Sequence, residues 1–490
     1  MFRSALLLLI PLAATAGEPV SRPGVLHLTH ESAIHMALAK NFTLQVERFS
    51  PQIARQNVKR ESGRFDPNFD ISASRSENTV RDVFFNGQHS PGDGTARTDS
   101  LTTGLSGITP WGLSYDLATG IINTPGRSAN SGDEITSNTS IGLNQPLLRG
   151  FGPDANLAQL RIARNNVLVS EWQLRQRIID TITTTDFVYN ELHLAHETLR
   201  VAERSRQLAL QLLADNSKRA EIGVMSPLNV TTARAEAAAR QEGVILARRQ
   251  VKDNENLLKQ LVTNDLEQML SIEVEIEPPP SPVFKANVPA GITEALALRP
   301  DYQQSLLEIR NRHINLVFTK NQALPRLDLN ASLNLIGVDN GFGGSFEHIG
   351  RGDRTSWSAG AIFSVPIPNR TGQASVAAAQ LSSAQAVLNL QRIEQQIVVD
   401  VDNASGQIIT SRERIVSTNE ASILARESLD AGEERLRAGT GTTFEVLELQ
   451  KRLVDAEAAE LRSRSDYNKA VAEYRRRTGT TLRRYNVVVD

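Results

Sequence analysis

Cysteine occurs nowhere in the 490 residues. Its absence rules out a disulfide framework, a thiolate nucleophile and a lipidated N-terminal cysteine. It is compatible with an oxidising compartment and does not by itself place the chain in one. Aromatic residues are scarce too, at 5%, while Ala, Leu, Arg, Glu and Gln fill long tracts. That is the balance of extended helices and not of a compact enzyme core. Neither sign of charge dominates: a formal net charge of −2 gives no drive toward nucleic acid or an anionic membrane surface. Beyond the N-terminal segment no stretch approaches the ~18 uninterrupted apolar residues of a spanning helix, so any membrane insertion has to be by strands. Catalytic constellations are missing as well. His193 and His196 lie three apart with no carboxylate to complete a metal motif. The loop GTGTTF at Gly439 follows a helix and not a strand, so it lacks the logic of a phosphate cradle. No G-x-S-x-G occurs. Neither enzyme activity nor a cofactor or metal is expected.

What is present is order along the chain. Residues 1–16, with Arg3, the apolar run Ala5–Leu12 and Ala14-Thr15-Ala16, have the parts of a cleaved signal peptide. A helical pattern follows from Thr29, a plausible N-cap, to about Gly63. Then come four period-two runs, FDISAS, LTTGLSGI, LSYDLATGII and TSIGLNQPL. Helical tracts occupy Pro153 to about Ile222 and Pro227 to about Val262, separated at Gly223. The segment EPPPSP (Glu277–Pro282) reads as a linker. After it the order repeats: helix (Ile292 to about Gln322), strands (PRLDLNASLNLIG and WSAGAIFSVPI), long helix (Gly372 to about Arg437), a break at Gly439–Gly441 and a last helix from Thr443 to about Arg477. Phe342 and Phe346, between the two strands, read as loop residues.

The repetition is an internal duplication. A shift of 258 superposes Pro67 on Pro325, Asp70 on Asp328, Ala73 on Ala331 and Ser74 on Ser332, and a shift of 216 superposes IGVMSPLNV (Ile222–Val230) on AGTGTTFEV (Ala438–Val446). The expected organisation is therefore a first repeat over 17–268, a proline-rich linker over 269–288 and a second repeat over 289–490. The hairpin around SGITPWGLSYD, with its turn at Thr109-Pro110-Trp111-Gly112, has no partner in the second half, and its sequence leaves open whether it joins a barrel wall.

The long helices carry a seven-residue period, Val167, Leu174, Thr181, Val188, Ala195, Ala202 and Ala209 in one and Val401, Ile408, Ile415, Ser422, Leu429 and Leu436 in the other, the seam of a coiled coil. In RLDLNASLNL the residues Leu327, Leu329, Ala331, Leu333 and Leu335 share one face and Asp328, Asn330, Ser332 and Asn334 the other. Such alternation suits a barrel wall and a half-buried soluble sheet equally. Two to four strands per half cannot enclose water alone, since ~8 strands already pack solid, but several copies could. The fold expected is mainly α with a membrane β-barrel portion: duplicated coiled-coil helices plus about four strands per protomer.

The segments RLRAGTGTTFEVLELQKRLVDAEAAELRSRSDYNKAVAEYR (Arg435–Arg475), RAEIGVMSPLNVTTARAEA (Arg219–Ala237) and QPLLRGFGPDANLAQLRIARNN (Gln145–Asn166) resemble the TolC-like outer-membrane efflux proteins. The resemblance covers essentially the whole mature chain. It implies a homotrimer in the outer membrane of a Gram-negative bacterium, a twelve-stranded barrel continued by a periplasmic helical tunnel (an α-barrel). It also implies a passive exit duct for an efflux pump or type I secretion system, partnered by a periplasmic adaptor, an inner-membrane pump and outer-membrane lipid. The family's constriction maps onto Glu445 and Glu448, which i and i+3 spacing puts on one helix face. Glu445 also completes a T-x-x-E capping box with Thr442. The adaptor-contact tips map onto Gly223, Val224, Met225 and Ser226, and onto Arg437, Gly439, Thr440, Gly441 and Thr442. A flagellin-like secreted filament protein would share the low cysteine and aromatic content, but neither a cleavable signal nor a twofold repeat with strands in both halves is expected of it.

Overall fold

The structure, a computed structural model, describes residues 25–85, 88–125, 134–265, 267, 271–281 and 283–487; the expected signal peptide lies outside them. Along the chain, β1 (Val25–Leu28) leads to α1 (His30–Lys40), α2 (Phe42–Glu47) and α3 (Phe49–Ser62). Strands β2 (Asn68–Phe85), β3 (Gln88–Ile108), β4 (Ser114–Thr124) and β5 (Glu134–Pro146) follow, then α4 (Pro153–Asn156), α5 (Ala158–Glu221) and α6 (Pro227–Val262). The second half contains β6 (Glu273–Ile276), α7 (Val288–Leu298), α8 (Pro300–Gln322), β7 (Arg326–Asp339), α9 (Phe342–Arg351), β8 (Thr355–Ser364), α10 (Arg370–Arg437), α11 (Thr443–Thr478) and α12 (Thr481–Arg484).

Three expected helices are divided, one at Leu157 between α4 and α5 and two by a nameable residue. Asn41 leaves the helical region at the end of α1, and its side-chain oxygen accepts the Leu44 N–H at 3.1 Å to start α2, so capping preference overrides an apolar pattern that runs on. Pro300 forces Arg299 into an extended conformation (φ −70°, ψ 125°) and separates α7 from α8. The expected linker holds a strand: β6 pairs in parallel with β1, Leu26 opposite Val274. Phe342 and Phe346 belong to the helix α9 and not to a loop.

The chain divides into two compact units, each drawing on both halves of the sequence. One holds the residues up to Arg48, Gln173–Pro300 and those from Glu394 onward; the other holds Phe49–Trp172 and Asp301–Ile393. In the first, the coiled-coil rows are buried: Leu174, Ile178, Leu192, Ala195 and Ala209 on α5, and Val401, Ile408, Leu429 and Leu436 on α10. Tyr189 sits at the centre of one core cluster with Leu28, Leu192, Leu258 and Val274. Its hydroxyl lies within hydrogen-bond reach of the Leu28 carbonyl (3.0 Å) and the Glu277 carbonyl (2.7 Å), tying α5 to the β1–β6 ribbon. Burial pushes the Tyr189 phenol well above its ordinary range, so it stays a donor. The edge of the ribbon is held by Glu255, whose carboxylate accepts the Val274 N–H at 3.0 Å. Burial pushes that carboxyl up, but bonds from Lys252, Lys259 and Val274 outweigh it and leave it below the usual range.

The second unit contains one antiparallel sheet of six strands in the order β2-β3-β4-β5-β7-β8. This corrects the expectation of about four. Each of the four alternating runs in the first half is a strand, and Gly112 (φ +93°) closes a turn on the Thr109 carbonyl that returns β4 onto β3. The hairpin near Trp111 therefore joins the sheet. Its register also contains a repeated pairing. Ser74 bonds Ser100 across β2 and β3 at 2.7 Å, and Ser332 bonds Ser358 across β7 and β8 at 2.8 Å, each pair 26 residues apart. Asn68 faces Ser106 as Arg326 faces Ser364. Both pairs thus keep the spacing of 258, while β5, like β8, is the last strand before a long helix.

Directly opposed residues in antiparallel strands share a face. One row runs across all six strands as Phe69, Leu105, Leu117, Ile141, Leu333 and Trp357, and the adjacent row on the other face as Asn68, Ser106, Asp116, Gly142, Ser332 and Ser358. The apolar row is not buried: Phe69 is 65% and Trp357 76% exposed. No helix among the described residues is long and apolar enough to cross a membrane.

Candidate functional site: the paired hairpin tips

The turns joining α5 to α6 and α10 to α11 are copies of one another. Gly223 and Gly439 both adopt φ +77°, a conformation that costs an L side chain about 1 kcal/mol. In the first turn the Gly223 N–H donates to the Ala220 carbonyl (3.0 Å) and the Val224 N–H to that of Arg219 (2.9 Å). In the second, the Gly439 N–H donates to Leu436 (3.2 Å) and the Thr440 N–H to Arg435 (2.9 Å). Each partner is displaced by 216. The next helix is then capped alike: Ser226 accepts the Leu228 N–H at 3.3 Å and Thr442 the Glu445 N–H at 3.2 Å. Gly441 is also needed for space, since a Cβ there would lie 3.0 Å from the Leu436 nitrogen.

The structure brings the two tips together. Leu212 of α5 packs with Leu429 and Leu436 of α10 and Val446, Leu447 and Leu453 of α11. The Arg219 guanidinium donates to the Leu436 carbonyl at 3.1 Å, and the Asn216 amide to the Thr443 hydroxyl at 3.3 Å. Arg437 is turned back along its own helix to Glu433 at 3.3 Å. Gly223, Val224 and Ser226 are exposed and Met225 is half-buried.

The two acids behave differently from the sequence reading. The Thr442 half of the capping box forms, but the Glu445 carboxylate accepts from Arg435 Nη1 at 2.6 Å, across the turn. Glu448 pairs with Arg452 one turn further on at 3.2 Å. Both carboxylates stay partly exposed on the same helix, each with an arginine of its own chain.

Sequence reasoning missed these counter-ions. The Glu448 to Arg452 spacing of four is a helix-pair signal that was available; the Arg435 to Glu445 contact crosses a turn and leaves no periodic trace. It also missed the exposed apolar side chains of the tips: Ile222, Val224, Leu228 and Phe444 are 73%, 68%, 71% and 74% exposed. Elsewhere, burial pushes His193 and His196 below the ordinary histidine range. Among the described residues no group of three or more His, Cys, Asp or Glu is placed to hold a metal.

Residues 113–264 and 291–480 match the sequence profile of the family described as outer membrane efflux protein. The match begins at the β3–β4 turn, leaving β2 and β3 outside it. The chain is 23% identical over 354 residues to outer membrane efflux protein BepC of Brucella suis, covering 71% of this chain and 73% of that one. It is 23% identical over 352 residues to outer membrane protein TolC of Escherichia coli, covering 70% and 69%. Its fold superposes on the crystal structure of the Campylobacter jejuni CmeC outer membrane channel with a TM-score of 0.71 at 17% identity, over 92% of this chain and 86% of that one.

Proposed function

From the premise that this chain belongs to the outer membrane efflux protein family, we propose that three copies assemble into the exit duct of an efflux pump or secretion system. The family places the chain in the outer membrane as an efflux channel. Trimeric closure, the constriction and the partners are the further reading. The observation that supports it is a second apolar row on α10. Leu381 and Leu388, then Ile409, Val416 and Ile423, lie on one seven-residue period, with Gln395 and Asp402 at the two positions between, and each of the five is more than half exposed. A coiled-coil helix that buries one seam inside its own chain and leaves another uncovered is built for helices on both sides. A further copy supplies them. The two-faced sheet argues the same way at the membrane and against a water-soluble filament, since its uncovered apolar row suits lipid and its opposite row suits a wet lumen.

At the tips, Glu445 and Glu448 form the constriction. Six like charges converging from three copies would resist closure; the pairing with Arg435 and Arg452 lowers that repulsion and lets the mouth shut. The exposed Ile222, Val224, Leu228 and Phe444, with the turn residues Gly223–Ser226 and Gly439–Thr442, receive a periplasmic adaptor, which couples the duct to an inner-membrane pump. The duct itself performs no chemistry.

Purified protein in planar lipid bilayers is expected to form ohmic channels. Arg452→Ala, which releases Glu448, is expected to raise the cation-to-anion permeability ratio by at least about two-fold, and Glu448→Gln to lower it. Reversal potentials in a salt gradient report both. Unchanged selectivity in both variants removes the constriction from these residues; failure of the wild type to conduct removes the duct.

A further inference from the structure

We propose that every copy contributes all six strands to the membrane wall, so that three copies close a barrel of eighteen strands and not the twelve implied by the family resemblance. The inference rests on the trimeric reading above and goes beyond it.

The hairpin β4–β5 has the properties of wall and not of a flap. It lies between β3 and β7, paired along Asp99–Ile108 of the one and Asp328–Asp339 of the other. Leu117 and Ile141 continue the apolar row, and Asp116 and Gly142 the polar one, without a break in register. A hairpin that merely projected from the surface would have no reason to keep that alternation in step with its neighbours. At 11 and 13 residues, β4 and β5 are each long enough to cross a bilayer, which takes ~9–11 residues of tilted strand.

The stagger of the sheet is that of a closed barrel. Asn68 and Arg326 are duplicated positions at the start of β2 and β7, yet the row through Asn68 meets β7 at Ser332, six residues further along. Six residues of slip over four strand steps correspond to a strand tilt of about 45°, at the spacings of ordinary sheets and near the tilt that barrels require.

The duplication also says how the open edges are filled. Within the chain, β5, the last strand before the first long helix, pairs with β7 along the side that β7's counterpart β2 leaves free, and β8, the last strand before the second long helix, has its outer side free. β5 runs antiparallel to β7, as β8 of one copy would to β2 of the next. Closure by β8 on β2 thus repeats, between copies, the β5–β7 pairing already made inside one copy. It leaves no strand edge exposed and keeps the strand number even.

Barrel diameter grows roughly in proportion to strand number, so the wall is about 1.5-fold wider than a twelve-stranded one. Electron cryomicroscopy of the full-length wild type in lipid nanodiscs counts the strands directly. A trimer with eighteen wall strands, β4 and β5 among them, is the expected result. A trimer whose wall has twelve strands, with β4–β5 outside it, overturns this inference and leaves the duct standing; a particle that is not a trimer overturns both.

Discussion

Glutamate in place of Ile409, Val416 and Ile423 together is expected to turn the assembled channel into folded single chains. These side chains are 55%, 66% and 52% exposed in the protomer, so the substitutions cost the isolated fold little. In the assembly they would meet a neighbouring helix. Covering the exposed half of one such side chain is worth about 1 kcal/mol. Losing three per copy therefore weakens association by more than about a hundred-fold, before the cost of pressing carboxylates into an apolar seam. Sedimentation in detergent measures the state of assembly, and circular dichroism confirms that the helices persist. A triple variant that still sediments as the wild type does would mean that this row is not at the interface.

The second large effect lies inside the protomer. Asp400 of α10 receives Arg299 at 3.0 Å and Arg477 at 2.9 Å, with a further bond from Gln396 at 2.9 Å, and the Asp400 and Arg299 side chains are each 11% exposed. The cluster pins α10 to the end of α7 and to the last turn of α11. Asp400→Ala takes the shared carboxylate from two arginines in a poorly solvated site and is expected to cost about 3 kcal/mol of stability. Burial alone would push the Asp400 carboxyl up; the bonds from Gln396 and Arg299 and the charge of Arg477 win, and hold it below its ordinary 3.8. A group whose folded value is depressed stabilises fully above its unfolded value and loses that contribution as pH falls through the folded one. The gap between wild type and Asp400→Asn in urea unfolding is therefore expected at pH 7 and should close as the pH falls below the ordinary carboxylate value of 3.8. A gap that persists undiminished in acid would locate the effect in packing and not in the carboxylate charge.

Much of this was legible in the residues because the duplication repeats local chemistry. The tip glycines, the Ser226 and Thr442 caps and the bounds of α6 all follow from signals within a few residues of each other. So does the alternation that makes each strand. What escaped is what depends on distant pairing. Four strands were expected where six alternating runs could be read, because nothing in a single run says which strand it lies beside; β5 next to β7 is a choice made between repeats. β6 is four residues long beside a proline-rich tract, and becomes a strand through β1 and the Tyr189 anchor. Asn41 sits inside a continuous apolar pattern and ends the helix by a single side-chain bond. At the tips the two acids were singled out and their arginines were not, since Arg435 reaches Glu445 around a turn whose shape is visible in three dimensions alone.

Whether one polypeptide is a fraction of a cylinder is decided by weighing it. Native mass spectrometry of the full-length protein, released from detergent micelles at low micromolar concentration, is expected to show a particle of three chains that precipitates when surfactant is withdrawn. A lone folded chain, stable in plain buffer, would contradict it.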